Sequence, residues 1–75
     1  MIKILGADGC SYCKLATELL QSKGIDYEYL DARSSEQEDL VAQLKSEGIR
    51  TIPQVWQSGT RIGGYTELAA LVKDL

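Results

Sequence analysis

Two side chains carry most of the chemistry open to this chain: Cys10 and Cys13, in the run Cys10-Ser11-Tyr12-Cys13. They are the only cysteines, and there is no histidine. That excludes a His base, a Cys–His pair and a His-bearing metal site within one chain. A zinc ion needs four ligands, so a single-chain zinc site is not expected and two thiols make half of one at most. A bridge across three positions closes a short loop and constrains the unfolded chain weakly, so it is a poor staple. In a reducing compartment such a pair reads as thiol–disulfide chemistry.

The elements around the pair decide what it can do. Ile2, Ile4 and Leu5 form a short apolar run that reads as a buried strand, followed by the loop Ala7-Asp8-Gly9. From Ser11 to Lys23, the residues Cys13, Ala16, Thr17 and Leu20 share one helical face with Leu19 beside it, and Gly24 supplies the stop. Cys10 therefore stands at a helix start. Unpaired N–H groups and the positive end of the helix dipole favour the thiolate there, and the thiolate is the nucleophile. Cysteines in such settings have pKa values lowered from about 8.5 to as little as roughly 3.5. Cys13 lies one turn on, nearer the core, and is placed to attack a mixed disulfide on Cys10. Lys14 favours the thiolate and Asp8 opposes it; Lys14 reads as a solvated helix charge.

Tyr27 to Leu30 reads as a second strand. Ser34 or Ser35 is expected to cap a second helix, with Gln37 or Glu38 completing a capping box. Leu40, Val41 and Leu44 form that helix's inner stripe, and Gly48 ends it. Ile52 to Gln57 is strand-like, Ser58-Gly59 is a turn, and Thr60 to Ile62 is a short strand. Gly63-Gly64 breaks it. Leu68, Leu71, Val72 and Leu75 then follow helical spacing. The order is β-α-β-α-β-β-α. It predicts an α/β domain over residues 1–75, with a four-stranded mixed sheet and helices on both faces.

Bulk properties narrow the function. A 75-residue domain buries only about 60–65% of its unfolded surface, which leaves chemistry to a surface groove. A net charge of -3 with no Lys/Arg cluster argues against nucleic acid or an anionic membrane as partner. The start of the chain is too soon interrupted for a signal peptide, no apolar run is long enough to span a membrane, and a cytoplasmic location is the default.

Two further segments have two readings each. Pro53 sits in Thr51-Ile52-Pro53-Gln54-Val55. On physical grounds it is an edge-strand or strand-start proline; the functional alternative is a cis-proline that turns the backbone of Thr51 and Ile52 toward the cysteines. Gly63-Gly64-Tyr65-Thr66-Glu67 is first a strand-to-helix turn capped by Gly64 or Thr66. Its alternative is an anion site at a helix start. Tyr12 and Tyr65 are groove-lining aromatics or ordinary packing residues.

Gly9-Cys10-Ser11-Tyr12-Cys13, Thr51-Ile52-Pro53-Gln54-Val55 and Ile62-Gly63-Gly64-Tyr65-Thr66-Glu67-Leu68 together resemble the glutaredoxin family over essentially the whole chain, most closely small bacterial and phage dithiol members. The resemblance implies a thioredoxin-like fold, a cis Pro53, and glutathione as cofactor and reductant; the chain is expected to be a monomer. It implies Cys10 as nucleophile, Cys13 as resolving thiol and Tyr12 flanking the groove. Ile52, with Thr51 beside it, would pair with the cysteinyl part of glutathione, and Gly64, Tyr65, Thr66 and Glu67 would hold the γ-glutamyl end. Three positions depart from the family's pattern. Ala7 replaces the usual Lys or Arg, so the cation for the glycyl carboxylate is missing unless Arg50 or Lys14 substitutes. Ser11 replaces the commonest Pro, and Glu67 the usual Asp.

The primary expectation is a glutathione-dependent oxidoreductase acting on protein disulfides and glutathionylated proteins. Two alternatives accompany it. One is an electron donor to ribonucleotide reductase recharged by thioredoxin reductase; the other is a dimeric, glutathione-ligated iron–sulfur carrier, which Ser11 permits.

Overall fold

A computed structural model describes residues 1–75. The elements in chain order are β1 (Ile2–Gly6), α1 (Ser11–Ser22), β2 (Tyr27–Asp31), a 3-10 turn (Ser35–Gln37), α2 (Glu38–Ser46), β3 (Gln54–Gln57), β4 (Thr60–Gly63) and α3 (Tyr65–Val72). The strands form one sheet in the order β2-β1-β3-β4. β1 pairs parallel with β2 and antiparallel with β3, and β3 and β4 form a hairpin. The mixed sheet and three helices are as the sequence predicts.

Alternation along β1 explains the layering. Ile2 and Ile4 point to one face, where they meet Ala16 and Leu20 of α1, Val55 of β3, and Leu68 and Val72 of α3. Leu5 points the other way and is buried with Leu44 of α2. Lys3, also on that second face, lies 3.6 Å from Glu28 across the β1–β2 ladder. Both α1 and α2 end with the same pair of backbone bonds. Gly24 N–H and Ile25 N–H donate to Gln21 and Leu20 carbonyls, and Gly48 N–H and Ile49 N–H donate to Lys45 and Leu44 carbonyls. Each is a Schellman closure, with glycine at the turn and an isoleucine folded back.

Three expectations need correction. β3 begins at Gln54 and not at Ile52, because Pro53 has no N–H for the ladder. Ser34 caps the 3-10 turn, its Oγ accepting from Glu36 N–H at 3.2 Å, and no capping box forms at α2. Of the four predicted apolar positions in the last helix, only Leu68 and Val72 are buried. Leu71 is 39% exposed, and Leu75, beyond the helix end, is 76% exposed. One turn of contact with the sheet and α1 uses only the i, i+4 pair.

Candidate active site

Cys10 is the N-cap of α1, in extended conformation at φ -94° and ψ 109°. Its carbonyl already accepts the first helical bond, from Lys14 N–H at 3.1 Å. Its Sγ accepts from Cys13 N–H at 3.2 Å. A sulfur at this position does what a serine or aspartate oxygen does at other helix starts. The same N–H donation favours a thiolate once the pair is reduced. Cys10 and Cys13 are joined as a disulfide with Cα atoms 5.2 Å apart, within the ordinary range for such a bridge. Cys10 is half-buried, while Cys13 is 2% exposed. Solvent therefore reaches one sulfur of the pair much more readily than the other.

The cis Ile52–Pro53 bond lies in the loop before β3. In that loop Ile52 O lies 3.8 Å from Cys10 Sγ, an acceptor within reach of the reduced thiol. A groove of about 730 Å³ runs from this loop to the start of α3. It brings together Tyr12 from the first turn of α1, Thr51, Ile52 and Pro53 from the loop, and Gly64, Tyr65, Thr66 and Glu67 from the start of α3. Tyr12 and Tyr65 meet across it, ring centroids 5.8 Å apart. Tyr12 is 60% exposed, so it is a groove aromatic and not a packing residue. The two cysteines lie in an adjoining groove of about 510 Å³, with Asp8, Lys14 and Tyr29. Of the two cations proposed to replace the one missing at Ala7, Arg50 borders the larger groove and Lys14 the smaller.

Space dictates Gly63 and is tight at Gly64. Gly63 has φ +126°, a conformation other residues rarely adopt, and a Cβ there would come within 2.6 Å of the Glu67 side chain. A Cβ on Gly64 would approach Pro53 O at 3.2 Å. Glu67 reaches back to accept from Gly64 N–H at 2.7 Å. This is half of a capping box, since glycine has no side chain to complete it. The N–H groups of Tyr65, Thr66 and Glu67, in the first turn of α3, have no partner within the helix and suit an anion.

Sequence reasoning missed three residues here. In the sequence Tyr29 reads only as a strand residue. Its hydroxyl and Cys13 Sγ both lie within about 3 Å of where a Cβ on Gly6 would stand, at 2.8 and 3.0 Å. Partial burial first, then the carboxylates of Asp8 and Asp31, raise its pKa above the ordinary 10.0, with Arg33 opposing. The phenol beside Cys13 is therefore neutral at physiological pH. Gln54 and Arg61 are the other two, hydrogen-bonded to each other at 3.0 Å. Register places Tyr29 there: it pairs with Ile4 on the strand that leads into the cysteine loop.

Known proteins resemble this chain in sequence and in fold. The glutaredoxin family model matches residues 2–62. Glutaredoxin 1 of Escherichia coli is 36% identical over 78 residues, covering 95% of this chain and 91% of that protein. Among solved structures, the glutaredoxin of Brucella melitensis superposes with a TM-score of 0.74 at 31% identity, over 97% of this chain and 78% of that one. A buckwheat glutaredoxin–glutathione complex gives 0.81 at 25% identity, over 97% and 68%. The fold is the thioredoxin-like one these structures share. With its Cys-X-X-Cys pair at disulfide distance on a helix start, this chain belongs to the glutaredoxin family and is a thiol–disulfide oxidoreductase.

Proposed function

We propose that this chain is a glutathione-dependent dithiol glutaredoxin that reduces protein disulfides and glutathionylated proteins in the cytosol. The observation that carries the reading is the single groove joining Tyr12, the Thr51–Pro53 loop and the start of α3, with Ile52 O of that loop 3.8 Å from Cys10 Sγ. Its parts suit the parts of glutathione. The Ile52 backbone offers peptide hydrogen bonds to the cysteinyl residue next to Cys10 Sγ. The first turn of α3 offers N–H groups to the γ-glutamyl carboxylate. Arg50 offers a cation to the glycyl carboxylate, in place of the one lost at Ala7.

The chemistry runs as two exchanges. On a glutathionylated protein, the Cys10 thiolate attacks the glutathione sulfur, the protein leaves as a thiolate, and Cys10 holds the mixed disulfide. A second glutathione thiolate attacks that bond, releasing glutathione disulfide and the Cys10 thiolate. On a protein disulfide, Cys10 bonds one sulfur and releases the other. Cys13 then attacks Cys10 Sγ, frees the second substrate thiol and closes the Cys10–Cys13 bridge. Two glutathiones reopen it, leaving as glutathione disulfide.

The test is glutathione-dependent reduction of a glutathionylated peptide and of a protein disulfide by wild type, Cys10→Ser and Cys13→Ser. Cys10→Ser is expected to lose both activities. Cys13→Ser is expected to keep deglutathionylation and lose protein-disulfide reduction. Reduction of the wild type by NADPH and thioredoxin reductase but not by glutathione would sink the glutathione reading.

A further inference from the structure

The Thr51–Pro53 loop carries the backbone that faces Cys10, yet no strand ladder holds it, since β3 starts at Gln54. The side-chain hydrogen bonds that reach Thr51 all come from one residue. Gln54 is 4% exposed, the only polar side chain in the buried set. A buried amide is costly unless it is hydrogen-bonded, and this one is bonded at both ends. Its Nε2 donates to Thr51 O at 3.0 Å and Thr51 Oγ1 at 3.2 Å. Its Oε1 accepts from Arg61 Nη1 at 3.0 Å. Arg61 lies on β4, two residues before Gly63, in the strand that feeds the start of α3. The Gln54 amide thus ties the loop on one side of the groove to the strand that leads to the other.

We propose that Gln54, braced by Arg61, is a positioning residue: it fixes the Thr51–Ile52 backbone beside Cys10 and so sets how tightly the groove holds the backbone of a thiol-bearing peptide ligand. The inference rests on the function proposed above and adds to it. Gln54 acts through Thr51 and touches no reacting atom. The amide is what matters. A glutamate here can still pair with Arg61 but has no N–H for Thr51 O, and it sets a carboxylate against that carbonyl. A methionine fills the same space and makes neither bond.

Steady-state kinetics on a glutathionylated peptide test this with wild type, Gln54→Met, Gln54→Glu, Arg61→Met and the double Gln54→Met/Arg61→Met. Loss of a buried hydrogen-bond bracket is expected to raise KM for the peptide about tenfold, with kcat within about twofold. Gln54→Glu is expected to behave like Gln54→Met despite keeping Arg61. Arg61→Met is expected to raise KM about threefold, and the double variant no further than Gln54→Met alone, because one bracket can be lost only once. An unchanged KM in a Gln54→Met protein that melts cooperatively overturns the proposal. So do additive costs in the double variant, which would mean that Arg61 binds the ligand on its own. Should Gln54→Met fail to fold, Arg61→Met at its exposed position decides, and an unchanged KM there overturns the proposal. A wild type without glutathione-dependent activity would overturn both this proposal and the function it rests on; an active wild type with the KM results above overturns this one alone.

Discussion

At the scale of single residues, the site is a pair of unlike sulfurs. The half-buried Cys10 is reachable and caps a helix, which suits the proposed nucleophile; the buried Cys13 suits an internal resolving thiol. Next to Cys13 stands the Tyr29 phenol, whose pKa is raised by burial and by Asp8 and Asp31. A raised phenol pKa means the fold favours the neutral form. That stability is fully present below the unfolded value near 10.0 and is lost as pH rises through the higher folded value. The urea midpoint should therefore fall as pH rises above about 10, and Tyr29→Phe should flatten part of that fall. Denaturation curves of both proteins between about pH 8 and 11 check this; identical slopes would mean that Tyr29 is not the group responsible.

At the scale of elements, the groove is made by the way segments end. β3 stops short of Pro53, β4 ends in Gly63, and α3 begins with Glu67 folded back on Gly64 N–H. Gly63→Ala puts a Cβ onto the Glu67 side chain and forces φ +126° on alanine. The expected cost is about 1–3 kcal/mol, read as a lowered denaturation midpoint, with a raised KM for glutathionylated peptide. Adding Glu67→Ala to Gly63→Ala removes the collision but not the backbone strain. The double variant should therefore lose less stability than the two single losses combined.

At the scale of the whole molecule, stability rests on one small core, with Leu20 of α1 and Leu68 of α3 fully enclosed. Truncating a buried leucine to alanine costs about 2–5 kcal/mol. Domains of this size have only about 0.05–0.15 kcal/mol of stability per residue. Leu20→Ala or Leu68→Ala should therefore bring the protein close to unfolding at room temperature. Leu75→Ala, at a residue 76% exposed, should change stability by less than about 0.5 kcal/mol. Chemical denaturation of the three variants tests the division of α3 into a buried pair and an exposed remainder. A large loss at Leu75 would contradict it.

The amino-acid sequence by itself determined the order of the elements, their approximate bounds and the position of the cysteine pair at a helix start. Each is a local property, written in apolar periodicity, glycine stops and a three-residue spacing. It also named the groove residues, but only through likeness to a family. Physics alone left Pro53 as a strand-start residue and Gly63-Gly64 as a turn. Only the tertiary structure decided that these segments meet. Ile52 O approaches Cys10 Sγ from 42 residues away, and no local pattern encodes a contact of that kind. For the same reason Tyr29, Gln54 and Arg61 passed as ordinary strand residues. What each does depends on which strand lies beside it, and that is settled by the order β2-β1-β3-β4. The exposure of Leu71 and Leu75 was likewise decided by how much of α3 the sheet and α1 can cover, not by the spacing of its leucines.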